Sequence, residues 1–344
     1  MSVKGKTKIS FFTHIEDSTQ DFPLTINGKN YENNIETIDY TDSLDDSADS
    51  MDITFNDPEE ILFQHIERSD VVSALIEDGG EQLETGRMQV ISRDGSVNNQ
   101  LFNITCTSMN QVRDSINNRF SKFYSRVSLE GILKDACKKA KLQVRVSPKF
   151  KNIKFKRVSR RGIAVKNLIK EYADKFGAIL KFASYGDGLG GIRTMLFFMH
   201  RDDFKDNEPV WNFYKNKSKD AMANLTWQEQ PLSVESVNFS YTDYLSEETV
   251  KGSASVDYEG AEDNNPVKVD SEAEAILVAE AIKNQSFLDI SFTTEGFWEY
   301  RAGNNITLEA DFGNLLKGLY LIKKVDHEVT RKTWKCTIKA TKLD

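Results

Sequence analysis

The sequence predicts an α+β protein, mainly β, in which two antiparallel β-barrel-like modules flank a small α+β module. Three observations carry that prediction. Residues 1–110, and the chain after about Asn224, hold short β-branched or aromatic runs separated by turn signals. Between them, two stretches switch to a helical period. Charge changes sign with the pattern. Residues 1–110 carry 7 Lys/Arg against 21 Asp/Glu, residues 111–176 carry 19 against 5, and residues 177–344 carry 19 against 27. The modules expected are residues 1–111, 112–222 and 223–344.

In the first module, strands are expected at residues 22–26, 35–40, 51–55, 87–91 and 102–107. Asn27-Gly28, Gly79-Gly80 and Asp94-Gly95 supply turns. Phe102, Ile104 and Cys106 point one way while Asn103 and Thr105 point the other, which is a sheet with one buried face. The stretch from Ile38 to Glu60 holds nine Asp/Glu. Within it Met51, Ile53 and Phe55 alternate with polar residues, so it reads as an acidic turn feeding a strand. Asp42, Asp45, Asp46 and Asp49 are expected to be exposed at the rim.

In the middle module, Ser128 caps a helix whose stripe is Leu129, Ile132, Leu133, Ala136, Cys137 and Ala140. A strand over 142–146 follows. A second helix presents Val165, Leu168, Ile169, Tyr172, Ala173 and Phe176, and Gly177 stops it. Strands over 178–183 and 192–199 are joined by SYGDGLGG. In the third module, a strand is expected over 234–241 and a mobile polar loop over 246–266. Ser271 and Glu274 then form a capping box for a helix with Ala275, Val278, Ala279 and Ile282 buried. Strands over 288–294, 305–309, 319–329 and 334–341 complete the chain.

Motifs for chemistry are thin. Gly186-Asp187-Gly188-Leu189-Gly190-Gly191 matches GxGxxG, but a strand pattern follows where a helix N-terminus must hold the pyrophosphate, so it reads as a hairpin turn. The acidic run lacks the spacing and glycine of a calcium loop. Cys106, Cys137 and Cys336 are far apart and read as buried free thiols. The four histidines are scattered, and His327 on an alternating strand reads as inward-facing and hydrogen-bonded. No HExxH or GxSxG occurs. The expectation is therefore no catalytic residue, no cofactor and no metal. No apolar run is long enough to span a membrane, and the N-terminus lacks a secretory core, so synthesis in the cytoplasm and no membrane anchor are expected.

The ordered segments together resemble the phage late control protein D family. In IDYTDSLDDSADSMDITFNDPE the positions that carry it are Tyr40, Thr41, Asp42, Asp49, Ser50, Met51, Ile53 and Phe55. TGRMQVISRDG looks like the strand–turn–strand that follows. FYSRVSLEGILKDACKKAKLQVRV resembles the family's helix, and the run from SEAEAILVAEAIKNQ to GLYLIKKVDHEV resembles its C-terminal module. The resemblance covers most of the chain. It implies a baseplate hub of contractile-tailed phages, R-type bacteriocins and related injection systems, with the fold of the hub portion of type VI secretion VgrG spike proteins. It implies a homotrimer with two tube-like barrels per chain, set between a hexameric tail tube protein and a threefold spike, with tape-measure and baseplate wedge proteins nearby. VgrG spikes continue into further domains, whereas this sequence stops at Asp344, so the spike is expected to be a separate protein. The implied location is the tail baseplate of a virion or particle.

Two other readings compete. A tail-associated cell-wall hydrolase needs a catalytic constellation that the sequence does not supply. A nucleic-acid-binding role for the basic middle module lacks an interleaved aromatic series, so charge complementarity between modules or subunits is favoured and no specific nucleic acid is expected. The candidate assembly interface is Asp42, Asp45, Asp46 and Asp49 on the acidic side, and Lys138, Lys139, Arg160 and Arg161 on the basic side. The segment 134–170 is expected to face acidic surface from another module or chain.

Overall fold

The computed structural model describes residues 8–14, 22–23, 25–26, 29–44, 48–78, 81–96, 98–108, 115–186, 192–215, 222–230, 234–242, 249–255, 261–269, 271–283 and 287–343. Among these, fourteen strands share one sheet. Its path runs Ala223–Gln230, Phe287–Glu295, Trp334–Lys342, Gly318–Thr330, Ile35–Ser43, Ser50–Asn56, Leu101–Thr107, Met88–Ser96, Val71–Asp78, Lys8–His14, Phe22–Pro23. Side branches add Glu81–Glu84, Asn305–Leu308 and Pro209–Phe213.

The two β modules meet strand to strand inside this sheet. Gly318–Thr330 pairs antiparallel with Ile35–Ser43, from Lys324 opposite Ser43 to Thr330 opposite Thr37. Period two then aligns residues across the junction. Ile104, Ile53, Ile38, Val329 and Trp334 form one cross-strand row, all buried. The next row on the opposite face is Thr105, Asp52, Asp39, Glu328, Lys335 and Glu295. One sheet thus has one apolar and one polar face, and a single core spans both β modules.

A second core belongs to the middle module. Leu129–Lys139 and Val165–Phe176 are helices as expected, and both boundaries follow from local chemistry. Ser128 Oγ accepts Gly131 N–H at 3.1 Å. Gly177 closes the second helix at φ 59°, a conformation that favours glycine. The helices cover a three-stranded sheet in which Ile192–Met199 pairs with Gln143–Val146 on one side and Ile179–Gly186 on the other. Gly186 stands opposite Ile192, so the glycine-rich stretch joins a hairpin, as expected. Residues 187–191 themselves lie outside the described residues.

Three features differ from the sequence reading. The stretch expected as a polar loop over 246–266 contains two strands, Thr249–Ser255 and Ala261–Lys268. They flank Val234–Thr242, one antiparallel and one parallel. No apolar alternation announces either strand, and the parallel pairing of Ala261–Lys268 skips the strand between. The middle module also gains a two-stranded ribbon, Arg119–Ser128 with Lys154–Ala164, in stretches where no strand was expected. Finally, the Glu272–Lys283 helix packs into the middle core through Ala275, Leu277 and Val278. A Cβ built on Gly177 would lie 2.9 Å from Ala281 Cα, so the absent side chain is what lets the two helices approach.

Candidate assembly interface

Asp42 and Asp49, which flank the acidic turn, do not sit on the rim. Asp42 and Asp49 are buried, at 3% and 7% exposure. This corrects the expectation of exposure. Asp42 occupies an inward position opposite Val325, at the end of its strand. There the middle module inserts Lys181 from the Ile179–Gly186 strand. Lys181 Nζ pairs with Asp42 Oδ1, donates to Asp49 Oδ1 at 3.1 Å, and donates to Ser43 O at 3.0 Å. Asp49 Oδ1 also accepts Ser43 N–H at 3.2 Å, and Asp42 Oδ2 accepts Ala302 N–H at 3.3 Å. Burial pushes the Asp49 carboxyl well above the usual range, and the neighbouring Asp42 charge adds to this against the pull of Lys181. Burial works to lower the Lys181 ammonium, yet the two carboxylates hold it above its ordinary value. A charge contact between modules thus exists inside the chain, but its cation is Lys181, which lies outside the segment 134–170 expected to supply it. Asp45 and Asp46 lie outside the described residues.

The expected basic residues divide. Lys138 and Lys139 are exposed in the last turn of their helix, where cations suit the helix dipole. Lys139 Nζ also lies 4.5 Å from the Phe120 ring centre. Arg160 is held internally, with one nitrogen 2.7 Å from Glu171 Oε1 and its guanidinium 5.2 Å from the Tyr172 ring centre. Arg161 is exposed.

Lys181 is not the only link between the two cores. Ser184 Oγ donates to Ser108 O at 2.5 Å, Arg201 donates to Lys342 O, and Asn305 Nδ2 donates to Phe204 O at 2.6 Å. Leu44, Phe204, Leu321 and Leu343 form a small apolar cluster at the same seam.

The end of the large sheet is different in kind. The Ala223–Gln230 strand pairs on one side with Phe287–Glu295 and has no partner strand on the other among the described residues. Nearly every residue of it is exposed. Trp227 continues the core-facing row of Ile290, Ala340 and Ile322, yet it is 52% exposed. Beside it a groove of about 590 Å³ runs along Thr226, Trp227, Asp289, Lys323, Lys324 and Lys339. An edge strand with an uncovered aromatic on its core side is a surface for another strand. The strand-like pattern that begins near Asn224 carries no sign of being an edge.

The only arrangement resembling a nucleophile with its base, among the described residues, is inert. Cys336 Sγ lies 3.1 Å from His327 Nδ1. Trp334 Nε1–H donates to that same nitrogen at 3.2 Å, and an indole can only donate. Nδ1 is therefore an acceptor, and Nε2–H donates to Tyr300 O at 3.1 Å. Burial pushes the imidazole down to about 4 and the thiol up to about 12. A reactive pair needs the reverse shifts. His327 is the buried, hydrogen-bonded residue expected, and all three cysteines are buried and free. Among the described residues no His/Cys/Asp/Glu group has metal-binding geometry, and no helix is long and apolar enough to cross a membrane.

No family model matches the sequence, and no curated protein matches it. Solved structures do match the fold. A 43 kDa tail protein of prophage MuSo2 from Shewanella oneidensis is 14% identical, with 98% of each chain covered and a TM-score of 0.60. A tail protein from Neisseria meningitidis is 12% identical, covering 98% of this chain and 97% of that one, with a TM-score of 0.62. An Escherichia coli component of the type VI secretion system, described as structurally similar to T4 bacteriophage tail proteins, is 10% identical with a TM-score of 0.57. It covers 89% of this chain and 73% of that one. The fold is therefore the one shared by these tail proteins and the type VI component, as the resemblance implied.

Proposed function

We propose that this chain is a structural hub of a contractile tail or injection particle. In this reading three copies form a ring that joins a tail tube to a separate spike, at the baseplate of the particle. The observation that carries the reading is the sheet that runs unbroken through both β modules and ends in an exposed edge strand. A sheet with one apolar and one polar face can curve so that the polar face surrounds a channel. Its open end at Ala223–Gln230 then needs a strand from the next copy, and Trp227 becomes covered. The polar face carries Asp52, Asp39 and Glu328 side by side. Like charges placed opposite one another destabilise a sheet, and burial followed by the Glu328 and Asp52 charges raises the Asp39 carboxyl. A channel for a polyanionic or acidic cargo gains from a wall that does not bind it.

The role is not catalytic in this reading, and the neutral Cys336–His327 pair fits that. The exposed Lys138, Lys139 and Arg161, together with Asp45 and Asp46, are retained as candidate charge contacts to ring neighbours or to wedge and tape-measure proteins. Electron microscopy of the purified chain, alone and with its spike, tests the proposal. Threefold rings with a central hole are expected. A monomer without a pore at every concentration, with and without spike, overturns it, and clearing of peptidoglycan in a zymogram revives the hydrolase reading.

A further inference from the structure

The ribbon of the middle module carries a second surface, and it does not depend on the tail reading. Its strands, Arg119–Ser128 and Lys154–Ala164, contain eight Arg or Lys and no Asp or Glu, in a chain of net charge −8. The ribbon sorts these charges by face, because opposite residues of an antiparallel pair share a face. Lys122 stands opposite Arg160 on the side turned toward the helices. There each cation has a carboxylate: Lys122 pairs with Asp135 at 2.6 Å and Arg160 with Glu171 at 2.7 Å. Tyr124 on the same face donates to Asp135 at 2.7 Å.

On the other face Phe123 stands opposite Ser159, and Ser125 opposite Arg157. Arg161 follows Ser159 at the two-residue spacing of that face. Phe123 is 61% exposed, more than any other large apolar side chain among the described residues. Arg157 and Arg161 are exposed, as are Arg119, Arg126 and Lys154 at the ribbon's margins, and none of the five has an ion pair among the described residues. Gly162, at φ 59° with its N–H on Ser121 Oγ at 2.9 Å, turns the strand at the edge of this face.

We infer that this face docks a carboxylate-rich segment of another protein. Unpaired guanidinium groups repel one another, and their planar forks match carboxylates two bonds at a time. Phe123 supplies an apolar contact in the middle of the charge, and the three serines leave room for a chain to approach. Nucleic acid shares the anionic chemistry but fits less well. A single exposed ring gives only one stacking platform, where single-stranded binding uses a series, and a short acidic segment needs none.

Fluorescence anisotropy on the full chain tests this with a labelled glutamate oligopeptide, a lysine oligopeptide of equal length, and a duplex DNA of equal charge. The glutamate peptide is expected to bind and the lysine peptide not to. R157E/R161E is expected to weaken glutamate-peptide binding about tenfold or more, the scale set by losing charged hydrogen bonds. F123A removes only apolar contact and gives an independent reading, with a loss of a few-fold. Should R157E/R161E fail to melt cooperatively, R157Q/R161Q replaces it. Equal peptide affinity in the charge variants overturns the proposal, as does tighter binding of the DNA at about 150 mM salt. Sedimentation showing self-association through this face, lost in R157E/R161E, also overturns it by making a second copy the occupant.

Discussion

At Lys181 one ammonium serves two buried carboxylates, and the imbalance makes testable demands. Replacing Lys181 with Met leaves Asp42 and Asp49 without their cation, and breaking a buried pair this way costs about 3–5 kcal/mol. Urea unfolding at pH 8 is the measurement, and a loss under 1 kcal/mol refutes the role. Asp49→Asn has the opposite sign. The folded carboxyl is raised, so its charged form opposes folding, and that penalty appears as pH rises through the folded value. D49N is expected to be more stable than the parent at pH 8 and equal to it at pH 4. A less stable D49N at pH 8 contradicts the account. His327 works in the other direction. Its folded value of about 4 lies below the ordinary 6.5, so the stability it gives is complete above 6.5 and is lost as pH falls toward 4. That loss amounts to about 3 kcal/mol at one pKa unit per 1.36 kcal/mol. The comparison with His327→Asn isolates it from Asp49, because the difference between the two unfolding curves should shrink from pH 7 to pH 4. Parallel curves sink the assignment.

Among the elements, the helices were legible because their boundaries are local. Ser128, Gly177 and Ser271 sit where capping chemistry puts them, and Glu274 N–H bonds Ser271 Oγ at 3.3 Å. Ser128→Ala is expected to lower stability by about 1 kcal/mol, seen as a lower melting temperature. Gly177→Ala should cost more, about 1–3 kcal/mol, because the residue sits at positive φ and its new methyl meets Ala281. If the two substitutions cost the same, the close helix approach contributes nothing. The ribbon was not legible, for a physical reason. Its inner face meets the helices through Lys122, Tyr124 and Arg160, whose heads are paired while their stems pack. Apolar alternation never appears, so no strand is read there from the sequence. The strands at Thr249–Ser255 and Ala261–Lys268 were hidden in the same way, by polar composition, although the first forms a hairpin with the strand directly before it.

On the scale of the whole molecule, the edge strand carries the decisive prediction. Trp227→Glu leaves the monomer's own contacts almost untouched, since the side chain is already half exposed. It should therefore abolish ring formation in sedimentation without moving the monomer melt. Rings that form as readily as in the parent rule out the edge as a subunit contact. By itself the sequence determined the mainly β class, the helices with their caps, the buried thiols, the hairpin around the glycine-rich stretch and the inward His327, because period and capping act over a few residues. Only the tertiary structure decided that the two β modules share one sheet and one core. It alone placed the Glu272–Lys283 helix on the middle module and turned Asp42 and Asp49 inward onto Lys181. Each of these depends on which strand or charge is met across the fold. In the stretch around Asp42 and Asp49 the pattern fixed the strand, while an ammonium more than a hundred residues away decided whether those carboxylates face water or the interior.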